Sequence, residues 1–210
     1  MQWGALIALD RADKGNEVLL GREQDIAAEY DGERLLQFCS GRFLIRQALL
    51  ALGGTAQPIL RRNNGAPAWP DGYTGSLSHS GGLIGVIAGG SGNWLGMGLD
   101  IERMGRFGPE LWPLLFTREE RRYLEHTDDS NRNFLATALF SIKEAFLKLP
   151  SSRPELLVDY LNLEVICHRR QFSITGSNVD LRRHFGLPVY KAEVFQHEDF
   201  VVGTILLAAN

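Results

Sequence analysis

Residues Trp94 to Glu102 limit the possible folds more than any other stretch of this chain. Leu95, Met97, Leu99 and Ile101 alternate with Gly96, Gly98, Asp100 and Glu102, the period of two that places side chains on opposite faces of a strand. One face is core; the other is bare backbone ending in two carboxylates. Carboxylates at i and i+2 on one strand face repel unless a cation sits between them, and hard oxygen ligands of this kind suit Mg²⁺ that shares phosphate oxygens. Taken alone, the pair also fits a solvated strand end.

The segments around it define the class. Trp3 to Leu9 reads as a strand and Glu33 to Leu52 as a helix that stops at Gly53 and Gly54, a usual C-terminal signal. Asn63 to Gly75 is a loop. Gly75 to Ala88 reads as a strand and forms a hairpin with Trp94 to Glu102 across Gly89, Gly90 and Gly92. The polar stretch Arg103 to Pro109 marks a boundary between halves 1–105 and 106–210. Beyond it, Thr117 to Glu125 and Asn131 to Leu149 read as helices, the second ended by Pro150. Leu161 to Cys167, Gln171 to Ile174, Val189 to Phe195 and Phe200 to Ala208 read as strands. The expected class is α+β, with each half running from helical segments into strands as two related units do. With 44% apolar residues in 210, a real core is available.

Composition restricts the partners. The 22 basic and 25 acidic residues leave a formal charge of −3, which gives no reason to expect a nucleic-acid or polybasic membrane surface. Any anion site is therefore local. Neither a basic lead with an apolar stretch nor an 18-residue apolar run occurs, so a soluble chain is expected. Cys39 and Cys167 are too few for a disulfide framework and lack metal-site spacing, which points to a reducing, cytoplasmic setting. A monomer is expected.

Two helix faces carry further chemistry. Leu135, Leu139, Ile142, Phe146 and Leu149 repeat at steps of four and three, a single buried stripe from which Glu144 and Lys148 project away. As a surface pair at i and i+4 these two contribute about a few tenths of a kcal/mol. Yet the chain has four lysines against 18 arginines, and Lys143 and Lys148 both fall beside Glu144; a compact ammonium is wanted there. On the earlier helix, Arg42 and Arg46 fall within the arc of Leu35, Phe38, Cys39, Phe43, Leu49 and Leu50. A buried guanidinium needs an anion, so internal salt bridges and a ligand phosphate both remain open. Ser76, Ser78, His79 and Ser80, flanked by Gly75, Gly81 and Gly82, offer hydroxyls and an imidazole to a phosphate. Ser78 and His79 face opposite ways and make a poor nucleophile and base.

In order, Ser76-Leu-Ser-His-Ser80, Gly98-Leu-Asp-Ile-Glu102, Phe116-Thr-Arg-Glu-Glu120 and Ser141-Ile-Lys-Glu-Ala-Phe-Leu-Lys148 resemble the successive motifs of the surfactin-synthetase-activating type of 4′-phosphopantetheinyl transferase. Ser40-Gly-Arg-Phe-Leu-Ile-Arg46 is a looser match. The resemblance implies a pseudo-twofold α+β protein whose two halves sandwich coenzyme A and move its phosphopantetheine arm to a serine of an apo acyl or peptidyl carrier protein. It implies Mg²⁺ on the diphosphate at Asp100, Glu102 and Glu144, and Lys148 on the phosphates. Coenzyme A contacts are expected at Ser78, His79, Arg42, Arg46 and Lys143. Glu120 is tied to the metal's water or to proton removal, so Glu144 and Glu120 are both candidate bases. Three departures stand out: Gly65-Ala-Pro67 in place of the family's Gly-Lys-Pro, Phe140 where tryptophan is common, and Leu149-Pro-Ser-Ser-Arg-Pro154 in place of a glycine-containing stretch. A non-catalytic coenzyme A or carrier-binding module and a magnesium-dependent phosphoesterase are the competing functions.

Overall fold

The computed structural model describes residues 4–149, 159–168, 171–176 and 190–209; Trp3, the segment 150–154 and Val189, which figure above, lie outside them. Strand β1 (Ala5–Arg11) leads through the short helix α1 (Glu23–Ala27) to the long helix α2 (Gly32–Ala51). Strands β2 (Tyr73–Ser80) and β3 (Leu83–Gly90) follow, and β1, β3 and β2 pair antiparallel in that order. Strand β4 (Trp94–Arg103) lies upstream of the boundary expected at Arg103 to Pro109, yet it pairs with Phe200–Ala208 and so belongs with the second sheet. Taken from β4, the second half continues through α3 (Trp112–Leu115), α4 (Arg118–Glu125) and α5 (Asp129–Leu147). Strands β5 (Leu163–His168), β6 (Gln171–Gly176), β7 (Tyr190–His197) and β8 (Phe200–Ala208) complete a five-stranded sheet of order β4-β8-β7-β6-β5.

The class is α+β, and the two halves share a plan. Each runs strand, long helix, hairpin, and each places the last strand between the first strand and its own hairpin partner: β1-β3-β2 in one half and β4-β8-β7 in the other. The hairpin β5–β6 extends the second half.

Two strand expectations are corrected. Gly75 to Ala88 is two strands, because Gly81 and Gly82 turn the chain at φ of +53° and +81°, values that side chains with a Cβ rarely adopt. Nor does β4 form a hairpin with its predecessor. Both edges of β3 are already taken by β1 and β2, so β4 pairs with β8 instead.

Strand β3 is buried on both faces, which explains its near-continuous apolar sequence. Ile84, Val86 and Ala88 pack under Leu44, Ile45, Ala48 and Leu49 of α2. Leu83 and Ile87 pack against Met97, Leu99 and Ile101 of β4 and Phe200, Val202 and Leu206 of β8. The sheets therefore back onto each other, with α2 outside one and α5 outside the other.

The glycine face of β4 is not bare to solvent; α5 covers it. A Cβ on Gly98 would stand 1.8 Å from the Ala145 carbonyl oxygen, and one on Gly203 would stand 2.7 Å from Ser141 Oγ. Helix α5 thus rests directly on sheet backbone. Ser141 Oγ ties the contact, donating to the Asp100 carbonyl at 3.2 Å and accepting from Gly203 N at 3.0 Å. As a result α5 is buried nearly all round, including Ala136, Ala138, Ser141 and Ala145, not along one stripe alone. Among the described residues no helix is long and apolar enough to cross a membrane.

Candidate active site

β2 and β4 are edge strands of different sheets, and the seam between them builds the site. Ser78 Oγ accepts from Ile101 N at 3.3 Å and donates to Asp100 Oδ1 at 3.1 Å. Over this seam opens a cleft of about 650 Å³. Asp100, Glu102, Glu144 and Lys148 line it on the side of the second half, and Arg34, Arg62, Ser78 and His79 on the side of the first. The close approach of α5 to Gly98 fixes how Glu144 and Lys148 stand over the end of β4.

Each carboxylate meets an internal donor. Lys148 Nζ lies 2.5 Å from Asp100 Oδ1 and 2.8 Å from Ser78 Oγ. Arg106 donates to Glu102 at 2.7 Å, and the Tyr160 hydroxyl donates to Glu144 Oε1. Drawn to these partners, no three His, Cys, Asp or Glu side chains among the described residues converge at metal-ligand spacing. Two observations nevertheless fit a divalent cation. Asp100 Oδ2 is buried without a hydrogen-bond partner, an uncommon and costly state for a carboxylate oxygen. Burial, and then the neighbouring Asp100 charge, push the Glu102 carboxyl up to about 7 even though Arg106 and Lys148 pull it down. The donor set is all hard oxygen.

The opposite rim is cationic. Arg34 lies 3.4 Å from His79 Nε2, and burial, followed by the charges of Arg34 and Lys148, lowers the imidazole pKa. The lowered pKa biases His79 toward the neutral imidazole, on a rim where the positive charge comes from Arg34 and Arg62. The loop at residues 61–67 closes through Arg62 N to the Ala66 carbonyl, 2.8 Å, with Gly65 at φ of +85°. It presents both Arg62 and Ala66 to the cleft. Arg61 points away, to Tyr30 and to Glu29 at 3.1 Å.

Four expected site residues lie elsewhere. Glu120 and Lys143 are paired with each other at 2.6 Å, both buried, and neither lines the cleft. Lys143 Nζ also donates to the carbonyls of Leu115 at 2.9 Å and Tyr160 at 2.8 Å, so its three protons are committed and none is left for a coenzyme A phosphate. Glu120 accepts from Val165 N and Thr117 N, each at 2.7 Å. Burial pushes Glu120 up and Lys143 down, against their mutual attraction. Thr117-x-x-Glu120 is a capping box on α4, a signal already present in the sequence. Arg46 is met by Glu23 through both carboxylate oxygens, at 2.7 and 2.8 Å; the internal salt bridge accounts for it. Arg42 stacks on Phe38, 4.3 Å from the ring centroid, with Nε buried and unpartnered. Burial lowers its pKa to about 10. Neither arginine lines the cleft.

Arg34 and Tyr160 were missed from sequence. Arg34, Arg42 and Arg46 fall on one row of α2 at steps of eight and four, which is a usable signal. Tyr160 follows no periodic pattern, and only the turn it opens brings its hydroxyl to Glu144.

Fold and site together define a protein with two similar α+β halves and a cleft between them, one side acidic and the other basic. Residues 22–89 match the 4′-phosphopantetheinyl transferase N-terminal domain and residues 96–204 the 4′-phosphopantetheinyl transferase superfamily. The chain belongs to the 4′-phosphopantetheinyl transferase superfamily. It is 30% identical over 162 residues to the 4′-phosphopantetheinyl transferase Svp of Streptomyces mobaraensis, covering 74% of this chain and 65% of that one. It is 36% identical over 83 residues to the 4′-phosphopantetheinyl transferase PptT of Mycobacterium tuberculosis, 40% of this chain and 37% of that one. A holo-(acyl-carrier-protein) synthase from Bacillus anthracis in complex with CoA (3′,5′-ADP) aligns at 20% identity with a TM-score of 0.45, over 56% of this chain and 99% of that one.

Proposed function

We propose that this protein transfers the 4′-phosphopantetheine group of coenzyme A to a serine of an apo acyl or peptidyl carrier protein and releases adenosine 3′,5′-bisphosphate, with Mg²⁺ as cofactor. The observation that carries the reading is the single cleft that gathers Asp100, Glu102, Glu144, Lys148, Ser78 and His79 from both halves. A monomer completes the proposal, and the sparse cysteines support a cytoplasmic setting.

Asp100, Glu102 and Glu144 would hold the cation, which when bound supplies charge neutralisation of the diphosphate. The remaining work falls to side chains. Arg34, Arg62 and His79 bind and orient the anionic nucleotide end. The carrier serine oxygen attacks the β-phosphorus, the bond to the leaving 3′,5′-bisphosphate breaks, and the serine proton passes to a carboxylate. Glu144 is the better candidate base because it lines the cleft, whereas both Glu120 oxygens are engaged in the core. Lys148 already sits on Asp100 and Ser78 and is placed to follow negative charge as it develops on the phosphates.

Incubation with coenzyme A, Mg²⁺ and a panel of apo carrier proteins, read by intact mass, tests this. At least one carrier should gain the phosphopantetheine mass. Coenzyme A cleavage with every carrier unmodified would identify a phosphoesterase, and binding without turnover a non-catalytic module; either result refutes the proposal.

A further inference from the structure

Tyr160 opens the 3-10 turn Tyr160–Asn162 immediately ahead of β5. Its hydroxyl donates to Glu144 Oε1, its ring packs on Phe140 with centroids 5.4 Å apart, and its carbonyl accepts from Lys143 Nζ at 2.8 Å. Lys143 is itself held by Glu120 at 2.6 Å and by the Leu115 carbonyl at 2.9 Å. The other Glu120 oxygen accepts from Val165 N at 2.7 Å. The turn is therefore pinned on both sides, at the Tyr160 carbonyl by Lys143 and just beyond Asn162 by Glu120. A glutamate side chain reaching from a helix into a cleft has several rotamers, and a fixed phenol on one oxygen selects among them while leaving the other oxygen free.

We propose that Tyr160 is a positioning residue that presents Glu144 to the divalent cation, and that the buried Glu120–Lys143 pair is the brace that fixes Tyr160. This rests on the reading of Asp100, Glu102 and Glu144 as the cation site. The pair that the motif resemblance sends to the reaction centre thus acts on it through a tyrosine hydroxyl, without touching substrate.

Hydrogen-bond donors behind a ligating carboxylate commonly change metal affinity about 10- to 100-fold when removed. Tyr160→Phe keeps the ring on Phe140 and deletes only the donor. The readout is Mn²⁺ affinity of the full chain with coenzyme A and no carrier, followed by the electron paramagnetic resonance signal of free Mn²⁺. The Kd should rise about tenfold or more in Tyr160→Phe, with the thermal midpoint essentially unmoved, and the Mg²⁺ requirement for transfer should rise far more than kcat falls. In Glu144→Gln the further change Tyr160→Phe should weaken Mn²⁺ no more, because the phenol acts only through that carboxylate. An unchanged Kd in Tyr160→Phe, or losses that add in the double variant, overturns the positioning role alone. Wild-type protein that takes up no Mn²⁺ overturns the cation reading beneath it.

Discussion

Lys143 is fully buried, and its ammonium has one carboxylate, Glu120, and two carbonyls for company. Lys143→Met would strand the carboxylate in the core, and breaking such a pair from one side typically costs about 3–5 kcal/mol. The double change Glu120→Leu/Lys143→Met should recover much of that loss, since a buried pair replaced by apolar groups of similar volume is often neutral or better. Urea unfolding of the three proteins measures this; a single variant within about 1 kcal/mol of wild type would contradict the brace. The sequence singles out Lys143 and Lys148 for an ammonium beside Glu144, but Lys143 pairs with Glu120 and Lys148 with Asp100, while Glu144 accepts from Tyr160. Lys143 stands in the last turns of α5 and Lys148 caps its C-terminus, and which faces Glu120 and which faces Asp100 depends on what the rest of the chain packs against each side. Arg42 and Arg46 divide likewise, one onto Phe38 and the other onto Glu23.

The contact between α5 and β4 is the element that sets the site's geometry. Gly98 has no room for a Cβ, because its nearest neighbour would be backbone, the Ala145 carbonyl at 1.8 Å. Gly98→Ala should therefore push α5 off the sheet and cost about 1–3 kcal/mol or more, as overpacking does. Because Glu144 and Lys148 ride on that helix, Mn²⁺ affinity should fall even at temperatures where the variant remains folded. Retained affinity and stability would show that the helix has freedom to shift here. The alternation in Trp94 to Glu102 correctly put Met97, Leu99 and Ile101 in the core but not Leu95, which is exposed where the register with β8 shifts between Trp94 and Gly96, and Phe200 to Ala208 matches β8 residue for residue. The reading of the glycine face as bare backbone failed for a simple reason. Glycine is what a strand shows both to solvent and to a helix lying directly on it, and only the helix's position distinguishes the two.

Across the whole molecule, the cleft joins residues more than a hundred positions apart in the chain. Ala66 and Arg62 share it with Asp100 and Glu144, so the loop that lacks the family's lysine does face the site. Ala66→Lys should tighten coenzyme A binding by about tenfold or more if its ammonium meets the 3′-phosphate, a charge-assisted bond contributing about 1.5–3 kcal/mol. With dephospho-coenzyme A the gain should vanish. Arg62→Ala should erode any preference for coenzyme A over its dephospho form, whereas Arg61→Ala should not, because Arg61 is turned to Glu29 and Tyr30. Calorimetric titration of both ligands decides this, and equal effects at the two arginines would displace the nucleotide from this loop. Local pattern alone determined the α+β class and the chain positions of the long helices and most strands, because alternation, capping and turn chemistry act over a few residues; Ser78, His79, Asp100, Glu102, Glu144 and Lys148, which the motif resemblance singles out, all line the same cleft. Tertiary structure decided that β4 leaves its neighbour for β8, that Glu120 and Lys143 brace the core, and that Tyr160 reaches Glu144. Those outcomes follow from which hydrogen-bonding edges and which cavities remain once distant segments have packed, and short-range pattern carries no record of that competition.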